Sequence, residues 1–141
     1  MNVVPFEAEH INQLELQDAQ SYLSAIVSSD QAEALVGDWA FSAMEDGRPI
    51  ASAGVILLWQ GRGMAWAFIS KYAVNNKFLQ VHRAVKRFLD GCYLQRIEMT
   101  VDCEFEQAHR WAHMLGFHME CARMRSYRPD GGDCALYARV R

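Results

Sequence analysis

Proline is scarce in this 141-residue chain, at three residues, and glycine is not abundant, at nine. Those counts exclude a collagen-like or low-complexity chain. The four cysteines, Cys92, Cys103, Cys121 and Cys134, contain no CxxC pair and no spacing that suggests a metal knuckle. Four cysteines allow a disulfide framework, but nothing else in the sequence looks secreted. Long apolar runs are also missing. The longest, from Pro49 to Trp59, is too short to span a bilayer, so no membrane association is expected. The segment MNVVPFEAEH lacks a basic start and a long apolar stretch, so no signal peptide is expected. A reduced, cytoplasmic protein is the expectation.

What is present is apolar. Hydrophobic residues make up 51% of the chain, aromatics 11% and charged residues 22%, which reads as one globular domain over residues 1–141. The formal charge of −3 averages two unlike parts. Residues 1–60 carry nine acids against the single base Arg48, and residues 61–141 carry thirteen bases against eight acids.

Periodicity orders the elements. Asn2 to Phe6 reads as a first strand, followed by helical material from Glu9 to Ile26 and from Asp30 to Leu35, with Ser28, Ser29 and Asp30 as caps between them. Strands at Trp39–Glu45 and Pro49–Trp59 flank Asp46-Gly47, a hairpin signal because its turn needs positive φ. Gln60 to Gly63 turns the chain into Met64–Ile69, apolar on both faces and hence a central strand. Phe78, Val81, Val85, Phe88, Leu89 and Cys92 form the inward stripe of a helix, with Gln80, Arg83, Arg87 and Asp90 opposite. A strand through Ile97, Met99 and Val101 leads to a second helix, with Phe105, Ala108, Ala112 and Leu115 inward and Gly116 as its stop. Strands near Phe117–Tyr127 and Cys134–Val140, joined by Pro129-Asp130-Gly131-Gly132, complete an α/β domain with a mixed sheet.

Two local patterns sharpen that order. Asp46-Gly47-Arg48-Pro49-Ile50-Ala51-Ser52-Ala53-Gly54 resembles the hairpin between the second and third strands of the GNAT acetyltransferases. Ala108-His109-Arg110-Trp111-Ala112-His113-Met114-Leu115-Gly116-Phe117 resembles the late helix of that family, which commonly ends in Leu-Gly-Phe. The resemblance covers nearly the whole chain. It implies a GNAT-like acyl-CoA N-acyltransferase fold, a central, mixed, mostly antiparallel sheet flanked by helices. It also implies acetyl-CoA as cofactor and a small-molecule or protein amine as acceptor.

The residues depart from the family pattern at the pyrophosphate loop. Such a loop brings backbone N–H groups to the phosphates at a helix N-terminus. Where the family places Q/RxxGxG/A, this chain has Val74-Asn75-Asn76-Lys77-Phe78-Leu79, with Lys77 and Leu79 at the glycine positions. Ala112 stands where many members carry a tyrosine general acid, and Glu104 where an Asn is common. The fourth strand offers no carboxylate as general base, so no catalytic residue is assigned. The layout from Trp66 to Leu89 and from His109 to Phe117 also resembles the internal virion proteins of short-tailed phages, which lack the glycine loop.

Two functions follow as expectations. One is an N-acetyltransferase with a divergent loop, binding the donor through Phe68, Ile69 and Ser70, with Asn75, Asn76 and Lys77 in place of the glycines. Amine attack on a thioester then needs mainly positioning and an oxyanion donor. The other is a non-catalytic virion or interaction protein that contacts phage structural proteins. Asn75 and Asn76 read first as caps of the basic helix, leaving free N–H groups for an anion. Lys77, Arg83, Lys86 and Arg87, with Lys71 before them, read as a solvated face. Their functional alternative is a site for a CoA phosphate, and nucleic-acid contact is not expected. His109 and His113 at i and i+4, with Cys103 upstream, have ligand spacing, but Arg110 stands where HExxH needs Glu. His109 and His82 are therefore expected at the core edge, His113 in solvent, Cys92 and Cys103 as small apolar fillers, and no metal is expected. Oligomeric state is left open by the sequence.

Overall fold

In a computed structural model that describes residues 1–21 and 29–141, the Asp46-Gly47 turn takes the expected left-handed backbone, with φ of 51° and 77°. It joins β2 (Ala40–Glu45) to β3 (Arg48–Trp59), pairing Ala40 with Gly54 and Ser42 with Ser52. Gly61, at φ 84°, turns β3 into β4 (Arg62–Ile69), so β4 starts earlier than the predicted turn allowed. β1 (Asn2–Pro5), β5 (Arg96–Asp102), β6 (His118–Met124) and β7 (Cys134–Val140) complete one sheet in the order β1-β2-β3-β4-β5-β7-β6. Among the described residues only β4 and β5 pair in parallel. The predicted mixed, mostly antiparallel sheet is observed, with β4 at its centre.

Among the described residues the α-helices are α1 (His10–Gln13), α2 (Ser29–Ala34), α3 (Lys71–Asn76), α4 (Phe78–Gly91) and α5 (Glu106–Met114). α4 and α5 cover one sheet face, because their apolar residues recur at helical spacing. Leu89 of α4 is buried with Ile97, Val101, Ala112, Leu115, Phe117 and Tyr137, and Val81 with Ala43, Ile50, Ala51, Ile69 and Ala73. Gly116, at φ 90°, ends the last turn before β6. α1 lies on the opposite face, where Phe6, Ile11 and Leu14 pack with Phe68 and Trp66. Trp59 is 62% exposed at the end of β3, beneath the Arg62 guanidinium.

The long first helix is a misreading. α1 ends after one turn, and Leu14 is already extended, at ψ 129°. The next residues run beside the end of β4: Leu16 bridges Ser70, and Lys71 N donates to Glu15 O at 2.9 Å. A single 3-10 turn follows at Asp18–Gln20. Backbone groups that a helix would satisfy internally are taken by β4 instead, so tertiary pairing overrides local propensity. The remainder of the predicted helix, and the cap candidate Ser28, fall outside the described residues.

Candidate functional site

β4 and β5 pair only from Arg62–Arg96 to Met64–Glu98. Beyond Met64, β4 stays with β3 and β5 stays with β7, so Ala65–Ile69 and Met99–Asp102 diverge. This leaves an opening between the strands near Ile69 and Val101. A cavity of about 710 Å³ occupies it and extends beneath α4 and α5. Phe78 lines that cavity, with its ring edge-on to Trp111 at 5.4 Å, without closing it. Leu79 is 57% exposed and lies outside it.

Pairing parity decides which β4 groups face the opening. Ser70 N donates to Ile50 O at 3.0 Å, and Phe68 pairs with Ser52, so even-numbered residues direct their backbone toward β3. Ala67 and Ile69 therefore present theirs to the splay. Both are met by one side chain. Gln20 Nε2 donates to Ala67 O at 2.9 Å, and Ile69 N donates to Gln20 Oε1 at 3.1 Å. Gln17 Nε2 donates to the same Oε1 at 3.2 Å, and Gln17 N donates to Ile69 O at 3.5 Å. The edge that a ligand amide would need is complementary to an amide and currently holds one.

The sequence-predicted residues fall into two groups. Ile69 faces the opening. Phe68 does not: its side chain is buried against Trp66 on the α1 face and its backbone serves β3, which corrects its assignment as a donor contact. Ser70 is buried, and its Oγ accepts from Ala73 N at 3.1 Å as the cap of α3. Asn75 and Asn76 are corrected as caps of the basic helix. They end α3, Asn76 Nδ2 donates to Tyr72 O at 3.1 Å, and the residue preceding α4 is Lys77, which supplies no side-chain cap. A short helix fills the loop position because Ser70 starts it three residues after Ala67. The N-terminus of α4 thus keeps the unpaired N–H groups that favour an anion. Lys77 is not a free cation, because its Nζ lies 3.2 Å from Glu45 Oε1. The hydroxyl of Tyr72 and then Lys77 hold the Glu45 carboxyl below its ordinary range, although burial opposes them.

Charge on the outer face of α4 is partly spent within the fold. Lys86 pairs with Asp90 at 2.9 Å and Arg139 with Asp90 at 2.8 Å, which lowers the carboxyl pKa of Asp90. Arg87 and Arg110 are exposed and line the cavity rim. Asp102, at the end of β5, also lines it; its Oδ2 accepts from Arg128 Nη1 at 2.6 Å and its Oδ1 from Glu104 N at 3.0 Å. Glu98 sits at the base of the splay, buried, with its pKa lowered by hydrogen bonds from Arg62 and Arg96. A carboxylate held by two guanidiniums is a structural anion rather than a base.

Three of the five histidines, His10, His82 and His109, are hydrogen-bonded. His82 Nδ1 accepts from Trp111 Nε1 at 3.0 Å, and His109 bonds Tyr137 Oη at 2.7 Å and Cys103 O at 3.0 Å, which places both at the core edge. His113 is exposed, with its ring edge-on to Tyr137. All four cysteines are free thiols, and Cys92 and Cys103 pack against the core. Among the described residues no group of three His, Cys, Asp or Glu is placed to hold a metal, and no helix is long and apolar enough to cross a membrane.

Sequence reasoning missed Gln20, because a glutamine inside a presumed helix carries no distinguishing pattern. It also missed a buried polar chain on the α1 face. Glu7 N donates to His10 Nδ1 at 3.1 Å, which makes that nitrogen an acceptor. Ser42 Oγ, 2.7 Å away, therefore donates to it, and Ser52 Oγ donates to Ser42 Oγ at 2.7 Å. Both serines are 1% exposed, so this network is a structural one.

No family model matches the sequence, and no curated protein matches it. Solved structures do match. The chain is similar to an acetyltransferase of the GNAT family from Bacillus anthracis, at 12% identity and TM-score 0.69, over 98% of this chain and 93% of that one. It is similar to a GNAT-family acetyltransferase from Streptococcus pneumoniae, at 13% identity and TM-score 0.68, over 99% of each chain. An N-acetyltransferase from Staphylococcus aureus Mu50 matches at 14% identity and TM-score 0.69, over 99% of this chain and 97% of the other. The fold is that of the GNAT acyltransferases.

Proposed function

We propose that the protein is an acyl-CoA-dependent N-acyltransferase whose thioester donor lies in the β4–β5 splay. One observation carries the reading. The strands part after Met64, and the freed edge at Ala67 and Ile69 already binds a carboxamide, that of Gln20. Pantetheine carries two amides, which suit that edge once Gln20 yields it. The uncapped N-terminus of α4 suits the phosphates. Lys77 would serve them only by leaving Glu45, and no glycine eases their approach. The structural neighbours, acetyltransferases of the GNAT family among them, support the same reading.

The donor supplies an activated acyl carbonyl. Transfer forms a C–N bond from the acceptor amine and breaks the C–S bond; the amine loses a proton and the departing thiolate gains one. The chain's part is to align the reactants and exclude water. Asp102, fixed by Arg128 and the Glu104 amide at the cavity rim, suits a cationic amine. No side chain is assigned as general acid or base. The virion-protein reading rests on sequence layout alone, and no observation in the fold favours it.

Titration calorimetry with acetyl-CoA, followed by thiol-release assays over small amines and peptide N-termini, tests the proposal. Binding with amine-dependent thiol release is expected. Absence of binding at millimolar acetyl-CoA overturns it.

A further inference from the structure

Well-packed interiors hold few voids larger than a water molecule. A cavity of about 710 Å³ in a 141-residue chain is therefore no packing flaw, and it falls within the span of roughly 300–1,000 Å³ typical of small-molecule sites. Its floor explains its size. The register aligns Ala43 with Ala51, Phe41 with Ala53, Ala53 with Ala67, and Val55 with Ala65, all on the sheet face beneath α4. Alanine thus recurs at the centre of three strands, where a sheet–helix interface normally carries branched or aromatic side chains. Ala53, Ala65 and Ala67 are only half-buried for that reason, as are Val85 and Phe88 of α4 above them.

The lining chemistry restricts the occupant. Alanine methyls and the apolar side of α4 offer no charge and no side-chain hydrogen bond to an amine or a sugar. The polar lining residues are Gln17 and Gln20 at the splay, Thr100 and Asp102 on the diverging end of β5, Ser42, whose hydroxyl is already bonded to His10 and Ser52, and Arg87, Gln107 and Arg110 at the exposed rim. The same cavity includes Ala67 and Ile69, so the apolar chamber is continuous with the edge assigned to the donor. Pantetheine on that edge takes the splay end of the cavity, and an acetyl group would leave the part over the alanine floor empty.

We infer that the donor carries an aliphatic acyl chain of medium length or longer, housed between the alanine floor and α4. This rests on the acyl-CoA reading above. Each methylene moved from water into the chamber tightens binding by about three- to fourfold. Affinity therefore rises steeply with chain length until the chamber is full.

Calorimetric titration of the full chain with CoA, acetyl-CoA, octanoyl-CoA and palmitoyl-CoA tests this. The expected result is octanoyl-CoA at least tenfold tighter than acetyl-CoA, with Ala53→Phe bringing the four ligands to a common affinity. Ala84→Phe fills the chamber from the helix side and is expected to do the same, which guards against misfolding of the first variant. Equal affinity for acetyl-CoA and octanoyl-CoA in the unmodified protein overturns the inference and leaves acyl transfer intact. Chain-length dependence that survives in both folded variants also overturns it. Failure of every CoA ligand to bind overturns the acyl-transfer reading and the chain site with it.

Discussion

Gln20 pairs with Ile69 as a neighbouring strand would: the Ile69 amide donates to Gln20 Oε1 at 3.1 Å, while Gln20 Nε2 returns a bond to Ala67 O at 2.9 Å. A strand edge left bare in a cleft is costly, because its N–H and C=O groups lose water and gain nothing. One glutamine side chain satisfies both. The same bonds compete with any amide ligand that needs this edge.

Gln20→Ala is therefore expected to separate stability from affinity. Losing the two bonds to the strand edge, at about 0.5–1.5 kcal/mol each, should cost about 1–3 kcal/mol in denaturant unfolding. Acetyl-CoA should bind several-fold tighter by calorimetry, since no side chain has to be displaced. Weaker binding in this variant would mean that Gln20 assists the ligand rather than standing in for it.

Gly54→Ala should be strongly destabilising. A Cβ at this position would lie 2.6 Å from Trp39 O and 2.9 Å from both Ala40 Cα and Trp66 Cζ2. Trp39 O and Ala40 Cα are backbone atoms at the entry to β2 and cannot swing aside. A loss of about 1–3 kcal/mol is expected in urea unfolding.

Ser42→Ala removes the middle of the chain from Ser52 to His10. It leaves the Ser52 hydroxyl buried without its acceptor, at a cost of about 1–3 kcal/mol. Ser52→Ala removes only the terminal donor and should cost less. Urea unfolding of the two variants checks the order.

Acid should weaken the fold through Glu98. Its carboxyl is held below the ordinary range, first by Arg62 and then by Arg96. A group whose pKa is lowered on folding stabilises the native state above its unfolded value, about 4.3 for Glu, and loses that contribution as pH falls through the folded value. Tm is expected to drop steeply below about pH 4. Glu98→Gln should start from a lower Tm at neutral pH and show a shallower acid limb. An acid limb unchanged by the substitution would contradict the assignment.

Much of the fold could be read from the residues, and the reasons are particular. The Asp46-Gly47 turn starts the β2–β3 pairing at Glu45 and Arg48, and a register shift between Ala43 and Met44, which the turn does not encode, then puts Ser42 beside Ser52 and Ala53 beside Phe41. The stripe from Val81 to Leu89 orients α4, and Gly116 ends α5. Gly54 belongs to the motif that carried the family resemblance, and the close approach of Trp39 O explains why glycine stands there. The first helix was misread because Glu15 and Leu16 pair with residues more than fifty positions away, which no local pattern encodes. The site was legible in part for the same reason. Ile69 follows from strand position, whereas Gln20 reaches the edge only through that long-range docking. The alanines are plain in the sequence, but a cavity appears only once three strands are set side by side.

The measurement closest to the central claim is the amide resonance of Ile69, followed by heteronuclear NMR as acetyl-CoA is added. Donor binding in the β4–β5 splay predicts a saturable shift of that resonance, together with a shift of the Gln20 side-chain NH₂ pair as its bond to Ala67 is released. If acetyl-CoA binds and both signals stay in place at saturation, or if nothing shifts at millimolar ligand, the splay is not the donor site.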